Sequence, residues 1–194
     1  MAIDDTRDKI LNVANKLFGR YGFYKTSMDE IAKIARKAKG SLYYHFKSKE
    51  ELFTEVVDIE FKKLKSELSL IVENENLPAD IKIKNYLIRR MEVLNLAANY
   101  HETLKADFFE HFNFIDNLRT NLDNWEKKQI KNIILQGIDE NIFEALNGDM
   151  EVLLDVFIMV LKGLELPFFL QGKYERYSPH FDNLLKILIR GLGR

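Results

Sequence analysis

Apolar residues recur every three or four positions through most of this chain, and little in it would interrupt a helix. Three prolines and nine glycines occur in 194 residues. These two residue types cost most in a helix interior, so their scarcity favours long helices. No segment sustains the strict alternation of a half-buried strand. The expected fold class is all-α, with about nine helices, no fixed-period repeat and no low-complexity tract.

The expected helices follow from stripes and caps. Ile10, Ala14, Leu17, Phe18 and Tyr21 make a helical stripe over Thr6 to Tyr21, closed by Gly22. Ser27-Met28-Asp29-Glu30 is a capping box that starts a short helix ending near Arg36. A third short helix covers about Ala38 to Tyr44. A second capping box, Ser48-Lys49-Glu50-Glu51, opens a helix towards Val72. Pro78 suits the first turn of the next helix, which runs to about Asn99. Further helices are expected over about 102–112, 116–138, 149–170 and 178–191.

Charge is uneven along the chain. Residues 1–50 hold eleven Lys/Arg against six Asp/Glu, and the remainder eighteen against twenty-four, so a +5 head precedes a −6 body. Such a head suits a polyanion. Cysteine is absent, which removes disulfides and thiolate metal sites and fits a reducing compartment. The first residues are polar and charged, unlike a secretory leader, and Asp155, Lys162 and Glu165 break the most apolar stretch, so a cytoplasmic, membrane-free protein is expected.

Three short helices near the N-terminus, two of them joined by a tight turn, form a candidate helix-turn-helix. Its second helix would offer Lys39, Gly40, Ser41, Tyr43, Tyr44 and His45 to DNA. Gly40 lets backbone approach phosphate, while serine and lysine can reach base edges and tyrosine and histidine can donate to phosphate. Lys49 lies in the first turn of a helix, where backbone N–H groups already favour an anion. Ile31-Ala32-Lys33-Ile34-Ala35, followed by Lys39-Gly40-Ser41-Leu42-Tyr43-Tyr44-His45-Phe46-Lys47-Ser48-Lys49-Glu50-Glu51-Leu52, resembles the TetR family signature. The resemblance covers about residues 7–55 and implies a DNA-binding domain over 1–47 and a ligand-binding and dimerisation domain over 48–194. It further implies that Thr26 caps and touches phosphate beside Ser27, and that Leu42 and Phe46 pack inside. The chain departs from the family at the turn, with Arg36 in place of glycine, Lys37 in place of an apolar residue and Ala38 in place of a capping Ser or Thr. Lys37 adds charge near the groove.

In the body, Leu153, Val156, Phe157, Val160 and Leu164 share one side of a helix, and Phe181, Leu184, Leu185 and Leu188 line another. These last two helices resemble the family's dimer element, which implies a homodimer. Ordinary core packing is the alternative. Phe108, Phe112, Trp125 and Phe157 are candidate walls of an apolar ligand pocket. Gln129 and Arg90 sit on apolar stripes and need partners. A ligand could supply them, a lipid-like acid or an aromatic drug-like compound. For Arg90 an internal ion pair with Asp107 or Glu110 is the alternative. No cofactor, metal motif or catalytic constellation is found. Asp107 and His111 share a helix face without further ligands nearby. The expected function is a repressor released from a palindromic operator by a mostly apolar effector. A helical dimer that has lost DNA binding, or a regulator without ligand, are the alternatives.

Overall fold

The computed structural model describes residues 2–105, 113–144 and 148–190. The described residues are helical, without strands. In chain order the helices are α1 (Ala2–Tyr21), α2 (Met28–Ala35), α3 (Lys39–His45), α4 (Lys49–Val72), α5 (Ala79–Asn95), α6 (Ala98–Thr103), α7 (Asp116–Asp139), α8 (Met150–Glu165), α9 (Tyr174–Tyr177) and α10 (Phe181–Arg190). They form two compact units, Met1–Lys62 with Ala97–Leu118, and Lys63–Leu96 with Arg119–Arg194.

In the first unit α1 packs on α2 and α6, and α2 packs on α3. The buried side of α1 is the expected stripe, with Ile10, Ala14, Leu17 and Phe18 at 8% exposure or less. An aromatic cluster closes the core: Phe53 meets Phe18 at 5.1 Å and Phe23 at 5.0 Å between centroids, and Phe114 lies tilted against Phe23 at 5.8 Å. Two carboxylates, buried Glu102 and half-buried Glu60, tie α6 into this unit. Glu102 accepts the Phe23 N–H at 3.2 Å. Any Cβ at Gly22, whose φ is +84°, would lie 2.8 Å from that carboxylate, so glycine is required there for space as well as conformation. Glu60 of α4 accepts the N–H groups of Asn99 and Tyr100 at 3.2 and 2.7 Å, satisfying donors at the start of α6.

The second unit is a bundle in which α10 packs on α5. The inner face of α8 is Leu154, Ile158, Leu161 and Glu165, and that of α7 is Leu122, Glu126, Ile130, Ile133 and Gly137. The expected long helix over 149–170 stops being α-helical at Glu165. Pro167 has no N–H to give to the preceding turn, and Leu166–Leu170 widens into a π-type turn with Gln171 N–H donating to the Leu166 carbonyl at 3.2 Å. Lys82 fastens the α4–α5 connection to α7, donating at 2.8 Å to both the Val72 carbonyl and Gln136 Oε1.

Candidate nucleic-acid interface

The turn between α2 and α3 carries the departures, and its geometry explains how they are accommodated. Arg36 adopts the left-handed conformation (φ 56°, ψ 44°). Its N–H donates to the Lys33 carbonyl at 3.2 Å, and Lys37 N–H donates to the Ala32 carbonyl at 3.0 Å. This pair of bonds is the Schellman motif, normally built around glycine. Arg36 therefore holds a conformation that costs an L residue roughly 1 kcal/mol. We expect Arg36→Gly to raise the stability of the chain by about that amount in urea denaturation. An unchanged or lower midpoint would refute the strain. Ala38 begins α3 with no side-chain cap, as its methyl group dictates.

At the other helix starts the sequence does what its caps predict. Ser27 Oγ accepts the Glu30 N–H at 3.2 Å, and Ser48 Oγ accepts the Glu51 N–H at 3.1 Å. The Glu51 carboxylate reaches back to the Lys47 N–H at 2.7 Å, one residue beyond the usual partner.

α3 is amphipathic. Leu42 is fully buried, as is Phe46 at the helix end, while Lys39, Gly40, Tyr43 and Tyr44 are exposed and Ser41 and His45 half-buried. A Cβ at Gly40 would meet nothing within 4 Å, so its surface is open to an incoming backbone or phosphate. Tyr44 and His45 pack edge to face at 5.2 Å. The lysines are already oriented. Lys37 Nζ donates to Thr6 Oγ1 at 2.9 Å. Lys49 Nζ donates to the Phe23 carbonyl at 3.1 Å and lies 4.2 Å from that ring's centroid. Lys39 Nζ lies 2.7 Å from Asp29 Oδ1. Ser27 is exposed, whereas Thr26 is buried. It is only 1% exposed, and its hydroxyl donates inward to the Gly22 carbonyl at 2.8 Å. Thr26 thereby fixes the α1–α2 turn.

The family model described as bacterial regulatory proteins, tetR family, matches residues 10–56. Over this module the chain is similar to the TetR family. The chain is 51% identical to the transcriptional regulator QacR of Staphylococcus aureus over 57 residues, 29% of this chain and 30% of QacR. It is 32% identical to the transcriptional repressor NicS of Pseudomonas putida over 111 residues, 53% of this chain and 52% of NicS. The aligned segments thus span 30% and 52% of these relatives, which are named as regulators and not as enzymes. A transcriptional regulator from Cytophaga hutchinsonii shares the fold over 95% of this chain and 97% of its own, with a TM-score of 0.74 at 23% identity.

Of the candidate ligand residues, Arg90, Trp125, Gln129 and Phe157 belong to the second unit. Arg90 is buried, and its partners are carboxylates. Nε donates to Glu126 at 2.7 Å and Nη2 to Glu165 at 2.8 Å, with Nη2 also 3.1 Å from Glu126. The Tyr86 hydroxyl donates to Glu126 at 3.2 Å. Burial, and then the Glu126 charge, push the Tyr86 phenol well above its usual value. Asp107 and Glu110, the partners expected for Arg90, lie outside the described residues, as do Phe108 and Phe112. Glu126 is one position round from the expected stripe. Its frame Leu122, Ile130, Ile133 is legible in the sequence, and Gln129 is only half-buried.

Two apolar clefts flank Phe157. One, of about 120 Å³, lies among Leu87 and Met91 of α5, Leu161 of α8, Phe168, and Phe181 of α10. The other, of about 200 Å³, lies among Ile83, Ile130, Ile134, Leu154 and Phe157. Trp125 and Gln129 line neither. Trp125 has the Lys65 ammonium 5.8 Å from its ring centroid. Among the described residues no three His, Cys, Asp or Glu side chains group as metal ligands, and no helix is long and apolar enough to cross a membrane.

The outer side of α8 is apolar and uncovered. Val152, Val156, Met159 and Val160 are exposed, as are Leu184 and Ile187 of α10. Gly163 continues this side with nothing within 4 Å of an added Cβ.

Proposed function

We propose that this protein is a dimeric DNA-binding transcriptional regulator that represses by holding a palindromic operator and is released by a mostly apolar small molecule. The observation that carries the reading is α3: buried Leu42 behind an exposed face of Lys39, Gly40, Tyr43 and Tyr44, on a closed helix-turn-helix. Regulator names among the relatives, one of them a repressor, support the same role. One short recognition helix binds weakly, and two of them about one DNA turn apart read adjacent major grooves. The uncovered face of α8 and α10 supplies the self-complementary surface a two-fold dimer needs. Lys37, Ser41, His45 and Lys49 surround α3 as phosphate or base contacts, and Ser27 as a further one.

The clefts beside Phe157 suit an apolar effector. Arg90 is already paired with Glu126 and Glu165, which favours an uncharged effector over a carboxylic acid. The effector acts by binding better to a body conformation that spaces the two heads wrongly for DNA. Operator DNA then weakens effector binding by the same factor. A cytoplasmic location follows from the role.

Fluorescence anisotropy against DNA from upstream of the protein's own gene tests the reading. Nanomolar binding that weakens steeply with salt is expected. Tyr43→Ala is expected to weaken it about tenfold or more, the loss of one good contact per half-site. Binding no tighter than to random DNA, including after selection from a random-sequence pool, would overturn it.

A further inference from the structure

Among the three lysines of the DNA-facing motif, Lys39 is set apart by its partner. Lys37 and Lys49 give their ammonium groups to neutral oxygens, a hydroxyl and a carbonyl. Lys39, the first residue of α3, gives its own to a carboxylate, with both oxygens of Asp29 within 3.1 Å. Asp29 lies in the first turn of α2, just after its N-cap Ser27. Both partners are largely exposed, so the pair stands on the outer surface of the head. The Tyr43 ring, one turn along α3, lies 6.0 Å from the same ammonium. Lys39 is thus held between Asp29 and Tyr43 before any DNA arrives.

We propose that Asp29 is a specificity-determining residue: it aims Lys39 at a base edge and disfavours its use as a general phosphate binder. The inference rests on the DNA-binding reading above. An ammonium has three donors and can keep Asp29 while giving another to a neutral acceptor such as guanine O6 or N7. A phosphate is an anion. If Lys39 turns to it, Asp29 is left beside a like charge, which opposes the contact. Binding to random sequence comes almost wholly from phosphate contacts, so Asp29 weakens that binding selectively. The preformed pair also holds the lysine in one orientation, which reduces what must be ordered on binding.

The test uses the full-length protein, an operator duplex selected from a random pool with the wild-type chain, and a scrambled duplex of equal length. Anisotropy titrations across a salt series compare wild type, Asp29→Asn and Asp29→Glu. For Asp29→Asn, affinity for the scrambled duplex is expected to rise roughly threefold to tenfold at low salt, with a salt slope steeper by about one ion per head. Operator affinity changes less, so the specificity ratio falls. Asp29→Glu keeps the charge and retains most of that ratio. A fall in both affinities by the same factor would mean that Asp29 only supports the fold, and an unchanged ratio with an unchanged slope would also overturn the proposal. If wild type shows no salt-dependent preference for any selected duplex, the DNA-binding reading fails first and this inference falls with it.

Discussion

Val156→Glu is expected to leave the fold intact, convert the protein to a 22.8 kDa monomer and reduce operator affinity by at least about a hundredfold. Val156 is 47% exposed on the outer face of α8, and Val160, one turn on, is 57% exposed. The same helix buries Leu154, Ile158 and Leu161 on its other side. α8 therefore carries apolar residues on an outer side as well as on the side that meets the bundle. A helix like that has a second partner or a liability to aggregate. A carboxylate at the centre of a two-fold interface meets its own copy, so each dimer would bury two like charges. Circular dichroism should be unchanged, since the site is open in the single chain. Light scattering reads the mass and anisotropy the operator affinity. A variant that stays dimeric would remove α8 from the interface. A monomer that binds the operator as tightly as wild type would remove the dimer from the function.

The second large effect is expected at the buried ion cluster. Arg90→Met should destabilise the protein by about 3–5 kcal/mol in urea denaturation, the usual cost of breaking a buried pair by deleting one partner. Arg90, Glu126 and Glu165 are each 1% exposed or less. Removing the guanidinium leaves Glu126 and Glu165 in a low-dielectric core without the group that now faces both at 2.7 and 2.8 Å. The cost lies in the stranded charges and not in lost packing, because methionine fills much of the same volume. The triple replacement Arg90→Met, Glu126→Leu, Glu165→Met should therefore recover most of the loss. A cost below about 1 kcal/mol for Arg90→Met alone would show that the carboxylates find other relief. So would a triple variant no more stable than the single one.

Asp29→Asn and Arg36→Gly probe the head, while Arg90 and Val156 probe the body. The residues concerned differ in how far they could be read in advance. Arg36 was visible as a departure from a glycine position, and its left-handed backbone follows from the turn it occupies. The exposed side of α8 was visible as Val156 and Val160 on one helix face. For Thr26 the sequence leaves open whether the hydroxyl faces outward or turns back on the Gly22 carbonyl, and only the packed turn selects the second. Arg90 was legible as a buried cation that needed a partner, but not the identity of that partner. Glu126 lies 36 positions away and Glu165 lies 75.

What the sequence by itself determined is therefore local. Helix starts follow from Ser27 and Ser48, because a capping hydroxyl reaches only the next few N–H groups. The inner faces of α1 and α2 follow from apolar spacing, because helix geometry maps sequence period onto one side. The exposed face of α3, opposite buried Leu42, follows from the same rule. Only the tertiary structure decided which distant groups meet: Glu102 on the Phe23 N–H, Glu60 on the start of α6, and Glu126 with Glu165 on Arg90. Burial makes such pairings obligatory, since a charge taken from water must be matched. The choice of partner, however, is set by how helices far apart in the chain come together, and nothing in the local pattern encodes it.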